Sequence, residues 1–301
     1  MPSRRTIHAR AHAKINLALG VGPPEPAGTP HAGFHPIASW MHAVDLADDI
    51  TLTEASETSF DIAWNDGRPT EWEPSTDLCV RAHAVVERLA GRPLPVSVRV
   101  RKAIPADGGL GGGSADAGAV MLALRDLFAL DIDDAALFAG AHGLGTDIPF
   151  FIDPLAWEAE QPPRPALVGG LGDRIERLAR RGRPLTLVCP PFGCPTGAVY
   201  RAFDASLAQG EGVGRDADAC AEALRAMAAS DAIEPAALFN DLSGPAERAE
   251  PRLGVVRRAV ADALALPVHV SGSGSTLFCF APTERVRPHA PECRVIGTRL
   301  V

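Results

Sequence analysis

One segment constrains this chain more than any other: a glycine-rich loop between a predicted strand and a predicted helix. Residues 95–105 (PVSVRVRKAIP) alternate between apolar and polar side chains, as a strand does, and residues 114–127 have the composition of an apolar helix. Between them, five of the six residues 108–113 are glycine. Backbone N–H groups without side chains around them can approach an anion closely. The helix adds its own unpaired N–H groups and its positive dipole end, so the segment predicts a polyphosphate pocket.

The best-known phosphate loops do not match this segment. A Walker loop needs a Lys directly after its glycines, and none follows Gly113. A dinucleotide fingerprint needs Gly-x-Gly-x-x-Gly, which no register of residues 108–113 supplies. The His-Arg-Asp and Asp-Phe-Gly signatures of protein kinases are absent from the sequence. From the glycines alone, a loop that binds no ligand stays open as an alternative.

Length and element order predict two lobes of the α+β class. The chain has 301 residues, 46% hydrophobic and 22% charged, which is a globular balance and is long for one core. Strand and helix patterns mix without regular βα alternation, which favours α+β over a doubly wound sheet. The proline-rich stretch at 161–165 (QPPRP) indicates a linker or surface insertion. We therefore predict two domains, over residues 1–165 and residues 166–301.

The other predicted elements follow from local patterns. Four segments are typical of strands: 8–22, 48–55, 60–65 and 184–190. Five segments are typical of helices: 76–90 with Gly91 as its stop, a short one capped by Asp133 or Asp134, and 196–206, 216–229 and 251–265. Residues 268–280 (VHVSGSGSTLFCF) predict a hairpin, and residues 157–183 are interpreted as an insertion without an assigned role.

Charge and composition argue against several classes of protein. A formal net charge of −8 disfavours nucleic acid as a partner, since that affinity comes mainly from Lys and Arg. The N-terminal MPSRRTIHAR has no apolar run behind it, so no signal peptide is predicted, and no stretch approaches the ~20 apolar residues of a membrane span. The six cysteines are scattered without a Cys-x-x-Cys pair, which predicts reduced, buried thiols in a cytoplasmic protein.

Two further segments carry polar groups that could take part in catalysis. In AKINL (13–17), Lys14 and Asn16 are two residues apart and lie on one face of a strand. In GTDIPFF (145–151), Asp147 precedes an apolar run and is expected to be partly buried. Taken singly, a snorkelling Lys and an Asp that caps a turn explain these residues equally well.

Taken together, these motifs resemble those of the GHMP kinases, in the same order along the chain. Pro105 and the run from Gly108 to Asp116 are similar to the family loop Pro-x-x-x-Gly-Leu-Gly-Gly-Gly-Ser-Ser-Asp, with Ala115 where a second Ser is usual. AKINL and GTDIPFF resemble the family's Ala-Lys-Ile-Asn-Leu and Gly-Ala-Asp-Val-Pro-Phe-Phe. The resemblance implies an N-terminal, ATP-binding domain like ribosomal protein S5, a ferredoxin-like C-terminal domain that binds the substrate, and a small-molecule kinase.

The resemblance also implies roles for individual residues. Asp147 is expected to be the general base and Lys14 its partner. ATP, with Mg²⁺, is expected over the glycine loop, although no carboxylate cluster dedicated to a metal is visible in the sequence. The residues expected to bind ATP are Lys102, Pro105, Gly108, Gly109, Leu110, Gly111, Gly112, Gly113, Ser114 and Asp116.

The acceptor implied by the resemblance is a cytidine diphosphate-linked polyol. Phe34 and His35 match an aromatic–His pair that binds cytosine, although Phe34 lacks the usual tyrosine hydroxyl. Thr196 and Tyr200 lie one helical turn apart and could close the other side of the base. The remaining residues expected at the acceptor are Asn16, Asp147, Ser271, Gly272, Ser273 and Gly274.

Two alternatives accompany this interpretation. One is a GHMP kinase with another small alcohol as acceptor, of the homoserine or mevalonate type. The other is a GHMP-fold protein that binds a ligand without catalysis. Phe34 and His35 argue against the first, and the presence of both Lys14 and Asp147 argues against the second.

Overall fold

The computed structural model describes residues 4–211, 214–230 and 232–301. Within them lie ten strands: β1 (Thr6–Val21), β2 (Ile37–Glu54), β3 (Ser59–Trp64), β4 (Val96–Lys102), β5 (Ala166–Gly170), β6 (Arg174–Arg177), β7 (Pro184–Cys189), β8 (His269–Val270), β9 (Leu277–Cys279) and β10 (Arg294–Arg299). Ten α-helices accompany them: α1 (Leu78–Ala90), α2 (Gly112–Leu127), α3 (Asp134–Leu144), α4 (Ile148–Phe151), α5 (Pro154–Glu158), α6 (Thr196–Ala208), α7 (Ala217–Ala229), α8 (Ser243–Ala249), α9 (Pro251–Leu264) and α10 (Thr283–Val286). The predicted α+β class is confirmed.

The chain divides into two compact units, and each contains separate stretches of sequence. The first comprises Met1–Ala13, Leu46–Pro105 and Gly111–Pro163, and the second comprises Lys14–Asp45, Ala106–Leu110 and Arg164–Val301. β1, β2 and the glycine loop each contribute residues to both units. The predicted boundary near residue 165 coincides with one of these transitions, and the assignment of two consecutive domains stays a prediction.

In the first unit, β4 pairs with β3 on one side and with the second half of β2 on the other. The β3 pairing is parallel, from Ser59 opposite Ser97, and the β2 pairing is antiparallel, with Asp49 opposite Arg101. The valines of β4 are fully buried while the residues between them are more exposed, as the alternation predicted. The glycine loop therefore begins where a well-paired strand ends.

The helices of the first unit begin and end at the residues that the sequence marks. The Asp77 carboxylate accepts a hydrogen bond from the N–H of Cys79 at the start of α1, and Gly91 ends that helix at φ 64°. Asp133 caps α3 in the same way through the N–H of Ala136. Helix α2 is buried over most of its length, so its position is fixed by packing on several sides.

In the second unit, four antiparallel strands form a sheet in the order β10-β7-β9-β8. An apolar cluster against this sheet includes residues of α6, α8 and α9, among them Phe203, Leu253 and Val260. The predicted hairpin at 268–280 is confirmed, with His269 opposite Phe278 and Val270 opposite Leu277. Its strands are short because residues 271–276 form the connecting turn.

Two elements differ from the sequence prediction. β2 begins at Ile37 rather than near residue 48, and its first half is buried on both faces, so no alternation indicated a strand there. The segment interpreted as an insertion forms a hairpin of β5 and β6, with Ala166 opposite Arg177. Its turn uses Gly170 and Gly172 at positive φ and the Asp173 carboxylate as acceptor for the N–H of Leu171.

All six cysteines are free and five are buried, in agreement with the sequence. Burial raises the pKa of the Cys79 thiol well above its usual range, which disfavours the reactive thiolate. Across the described ranges, none of the helices combines the length and apolar character needed to cross a lipid bilayer.

Candidate active site

The first half of the glycine loop, Gly108–Leu110, is held by backbone contacts in the second unit. The Gly108 carbonyl accepts from the N–H of Thr276 at 3.1 Å, and the Leu110 carbonyl accepts from the N–H of Lys14 at 2.9 Å. Gly109 has φ +71°, and a Cβ there would collide with the Ser271 carbonyl and lie 3.0 Å from the Gly274 carbonyl oxygen. Glycine is required at this position for both conformation and space.

The second half of the loop, Gly111–Ser114, begins helix α2 in the first unit. Gly111 is the N-cap at φ 67°, and its carbonyl accepts from the N–H of Ala115 at 2.8 Å. Gly113 is exposed and Ser114 is partly exposed, so the amides of the first turn are accessible. A helix N-terminus of this kind, directly after glycines, is suited to an anion.

Lys14 and Asn16 lie side by side on β1, as their spacing predicted. Lys14 Nζ donates to Asn16 Oδ1 at 2.8 Å, and Asn16 Nδ2 donates to Ser39 Oγ at 2.8 Å. Ser39 Oγ in turn donates to the Ala18 carbonyl at 2.9 Å. Lys14 and Asn16 are both only 3% exposed, so the orientation of the ammonium group is fixed by a buried chain of donors and acceptors. Sequence reasoning missed Ser39, which no motif marked.

The turn Ser271–Ser275 approaches this pair closely. A Cβ on Gly272 would lie 3.4 Å from Lys14 Nζ and 3.3 Å from Asn16 Oδ1. Ser271 Oγ donates to the Gly109 carbonyl at 3.0 Å, which joins the turn to the glycine loop. The second unit thus brings together three predicted segments that are far apart in sequence: the first half of the glycine loop, the Lys14–Asn16 pair and this serine–glycine turn.

Asn240 holds the turn in place. Its Nδ2 donates to the carbonyls of Val270 at 2.8 Å and Gly272 at 2.7 Å, and its Oδ1 accepts from the N–H of Leu242 at 2.9 Å. All three bonds go to backbone groups, so the Asn240 side chain stabilises the conformation of the turn. Sequence reasoning gave Asn240 no role, because its three partners lie at other positions of the chain.

Asp147 lies at the N-terminus of α4 in the first unit, after the turn that ends α3 at Gly145. It is partly exposed, whereas all four residues of α4 behind it are buried. Asp147 therefore directly precedes a buried turn and is itself partly exposed. That Asp147 faces Lys14 stays a prediction.

Lys102 and Asp116 form a buried charged cluster with Asp48, a residue that sequence reasoning did not select. Lys102 Nζ donates to Asp48 Oδ2 at 2.6 Å and also to Asp116 Oδ2. Asp48 Oδ1 accepts from the N–H groups of Ala103 at 2.5 Å and Ile104 at 2.8 Å, directly before the glycine loop. The cluster ties the end of β4 to the first turns of α2.

Burial and charge compete within this cluster. Burial alone would lower the pKa of Lys102, but the nearby charges of Asp116 and Asp48 outweigh it and raise that pKa. Burial raises the pKa of Asp116, against the opposing influence of Lys102. These contacts join the strand before the loop to the helix after it, so Lys102 and Asp116 stabilise the position of the loop. Direct contact of either side chain with ATP stays a prediction.

The residues predicted at the acceptor base lie in the second unit. His35 Nδ1 is 2.9 Å from the Gly22 carbonyl oxygen, and its ring lies 5.1 Å from that of Tyr200. The Phe34 side chain is 56% exposed. Thr196 Oγ1 is 3.0 Å from Ser273 Oγ, which links the start of α6 to the serine–glycine turn. His35 is thus next to Tyr200, and Thr196 is next to Ser273.

The described residues contain no group of three or more His, Cys, Asp or Glu side chains that could hold a metal ion. The carboxylate nearest the start of α2, Asp116, is buried, and one of its oxygens accepts a hydrogen bond from Lys102. These residues do not fit a protein-borne Mg²⁺ site, and no chemical step is assigned to one.

The fold and the loop define a class of proteins. Residues 77–153 match the model of the GHMP kinases N terminal domain. Among solved structures, a homoserine kinase from Cytophaga hutchinsonii is similar in fold with a TM-score of 0.63 at 15% identity, over 98% of this chain and 94% of that one. A mevalonate kinase from Methanococcus jannaschii is similar with a TM-score of 0.60 at 13% identity, over 100% and 99%. The architecture is that of a GHMP kinase.

More similar relatives narrow the class. A 4-diphosphocytidyl-2-C-methyl-D-erythritol kinase from Caulobacter sp. strain K31 is 37% identical over 98% of each chain. One from Nocardioides sp. strain JS614 is 36% identical over 97% of this chain and 94% of its own. A crystal structure of 4-(cytidine 5'-diphospho)-2C-methyl-D-erythritol kinase is 29% identical with a TM-score of 0.69, over 98% and 99%. The chain belongs to the 4-diphosphocytidyl-2-C-methyl-D-erythritol kinase family of GHMP kinases.

Proposed function

We propose that this protein transfers the γ-phosphoryl group of ATP to the 2-hydroxyl of 4-diphosphocytidyl-2-C-methyl-D-erythritol. The products would be the 2-phosphate and ADP, in the non-mevalonate route to isoprenoid precursors. The observation that carries the proposal is the assembly in the second unit, where Gly109, Lys14, Asn16 and the Ser271–Ser275 turn contact one another. Family membership supports the same acceptor.

In this proposal the glycine loop holds the polyphosphate. The amides of Gly108–Ser114 and the positive end of the α2 dipole supply donors and partial charge. Mg²⁺ would be brought in by ATP rather than held by a protein site, and it would neutralise phosphate charge. The loop is held on both sides, by Thr276 and Ser271 before Leu110 and by α2 after it. A held loop costs little reorganisation during the reaction, which favours phosphoryl transfer.

Asp147 would act as the general base for the acceptor hydroxyl, and Lys14 as its cationic partner. A positioned carboxylate can take the proton of an alcohol as the alcohol attacks phosphorus. The ammonium group of Lys14, oriented by Asn16 at 2.8 Å, would stabilise negative charge that develops during transfer. Its near-complete burial strengthens that electrostatic effect, since little water screens it.

The acceptor would bind along α6 and the serine–glycine turn. Phe34, His35 and Tyr200 would contact the cytosine, with Thr196 at the edge of that site. The amides and hydroxyls of Ser271–Gly274 would receive the diphosphate, since the turn has two glycines at positive φ, which carry no side chains of their own. The contact between Thr196 and Ser273 supports a continuous binding surface from base to diphosphate.

Two variants test the proposal. Asp147→Asn should lower kcat by ~10²–10⁴-fold while the Kd for ATP changes less than about threefold, because only proton transfer is removed. Lys14→Ala should lower kcat by a similar factor through lost charge stabilisation. Steady-state release of ADP with the cytidylyl acceptor measures both effects.

The exposed Asp131 offers a matched control, since Asp131→Asn removes the same charge elsewhere in the first unit. This control should keep the kcat of the wild-type protein. Near wild-type kcat in Asp147→Asn would show that another group, or none, acts as the base.

The two alternatives make different predictions in the same assay. A kinase of the homoserine or mevalonate type would turn over one of those alcohols and ignore the cytidylyl compound. A binding protein would consume no ATP with either acceptor. Homoserine and mevalonate carry no aromatic base that could bind beside His35 and Tyr200. The contact between these two rings therefore favours the cytidylyl acceptor. The cytoplasmic location stays a prediction.

A further inference from the structure

A carboxylate on α6 lies beside the predicted base-binding residues and has no role so far. Asp204 Oδ1 is 3.2 Å from His35 Nε2, and the Asp204 side chain is 47% exposed whereas that of His35 is 4% exposed. Thr196, Tyr200 and Asp204 are spaced four residues apart on α6, so they lie along one face of the helix. The first two are predicted to contact the acceptor, and Asp204 continues the same stripe.

The proton positions at His35 follow from its partners. Its Nδ1 is 2.9 Å from the carbonyl oxygen of Gly22, which only accepts, so Nδ1 must carry a proton. A carboxylate also only accepts, so the contact between Nε2 and Asp204 is a hydrogen bond only when Nε2 carries a proton too. With protons on both nitrogens His35 is cationic, and the pair then presents an N–H donor next to a carboxylate acceptor, beside Tyr200.

This order of donor and acceptor complements one pyrimidine. The edge of cytosine carries an acceptor, N3, next to the N4 amine, which donates and is a known partner of Asp and Glu carboxylates. A cytosine can therefore replace the contact between His35 and Asp204 and leave neither group unpaired. Uracil presents N3–H and a carbonyl in the reverse order, so N–H would face N–H and oxygen would face carboxylate.

We propose that Asp204 is a specificity-determining residue that accepts a hydrogen bond from the exocyclic amine of the cytosine while His35 donates to N3. The inference rests on the proposed function, because it concerns the base of the same acceptor. It adds a residue that none of the sequence motifs contained. The contact between His35 and Asp204 keeps both groups in position for an incoming base.

The test compares CDP and UDP as probes that differ only in the base. Their dissociation constants for the full-length protein are measured by calorimetry, with the KM for ATP and the melting temperature as reference readouts. The wild-type protein should bind CDP more tightly than UDP. Asp204→Asn should reduce that ratio by ~10–100-fold, since an amide can donate to the uracil carbonyl as well as accept, and the site is partly solvated.

Asp262→Asn removes the same charge at an exposed position of α9 and should leave the CDP/UDP ratio unchanged. Asp204→Ala provides a second variant should the amide disturb folding, and it too should lose discrimination, chiefly through weaker CDP binding.

An unchanged ratio in both Asp204 variants, or equal weakening of CDP and UDP, would refute the role of Asp204 alone. If the wild-type protein itself does not distinguish CDP from UDP and does not phosphorylate the cytidylyl acceptor, the proposed function fails together with this inference. A wild-type protein that phosphorylates the acceptor but binds both nucleotides equally refutes only the inference.

Discussion

Replacing Lys102 by methionine should destabilise the protein strongly. Lys102 is 3% exposed, and its Nζ bonds to the carboxylates of Asp48 and Asp116. Lys102→Met keeps a similar volume and removes the only positive charge among the three groups. Breaking a buried ion pair by removing one partner costs about 3–5 kcal/mol. Because small proteins are stable by roughly 5–15 kcal/mol, that is a large fraction of the total.

The stability lost in Lys102→Met should depend on pH. In the wild-type protein the raised pKa of Lys102 means that its stabilising contribution is complete below the unfolded value near 10.4 and is lost only at higher pH. In the variant, the pKa of Asp116, already raised by burial, should rise further without its cationic neighbour. The folded variant then binds a proton that the unfolded chain releases, so its stability should increase as the pH falls. The loss should be smaller at pH 5 than at pH 8.

Urea unfolding at both pH values measures these differences, and a double variant shows whether the groups are coupled. Lys102→Met/Asp116→Asn removes one of the two uncompensated carboxylates, so it should be more stable than Lys102→Met alone by about 1 kcal/mol or more. Asp48 keeps its two backbone donors in both variants. A loss below about 1 kcal/mol, no dependence on pH, or simple additivity would each refute the argument that these charges stabilise one another.

Three further predictions concern other residues. Asn240→Asp replaces two amide N–H donors by a carboxylate facing two carbonyls. It should lower the free energy of unfolding in urea by about 2–4 kcal/mol and also lower kcat; wild-type activity would contradict the view that Asn240 holds the turn in place. Gly109→Ala should abolish ATP turnover because the added Cβ would collide with the Ser271 carbonyl. Gly143→Ala should keep the wild-type turnover in the same assay, because a Cβ at Gly143 would meet no other atom within 4 Å. Burial lowers the pKa of His42 from 6.5 to about 4, which favours the neutral imidazole in the folded protein. As the pH falls from about 6.5 to about 4, the free energy of unfolding should therefore decrease, by up to about 3 kcal/mol for this group. His42→Leu should flatten the pH dependence of unfolding, leaving the similar contribution of His269; an unchanged slope would show that His42 is not responsible.

Much of the site was accessible from the sequence because its signals are local. The glycine density of residues 108–113 between a strand and a helix indicated the loop, and α2 begins at Gly112, two residues before the predicted start. The spacing of two between Lys14 and Asn16 placed them on one face of β1, where the hydrogen bond between them now lies. Local periodicity and turn chemistry therefore sufficed for these parts.

The remaining parts depend on contacts between distant residues, which local patterns do not carry. Asp48 is 54 residues before Lys102, and nothing near either residue marks their pairing. The first half of β2 is buried on both faces, so its lack of alternation hid the strand. Asp204 became visible only when the structure placed it beside His35, 169 positions earlier in the chain. In each case contacts made in the folded protein, rather than local secondary-structure propensity, determine what the residue or segment does.

The buried state of Lys14 has a practical consequence when it is combined with the composition. Of the 29 basic Lys and Arg residues, only two are lysines, Lys14 and Lys102, and both are 3% exposed. Protein made with ¹⁵Nζ-labelled lysine should therefore give just two side-chain ammonium signals in an NMR spectrum. One would come from Lys14, beside Asn16 and the serine–glycine turn, and one from the cluster of Lys102 with Asp48 and Asp116, so ligand binding could be followed at both places without assigning the backbone.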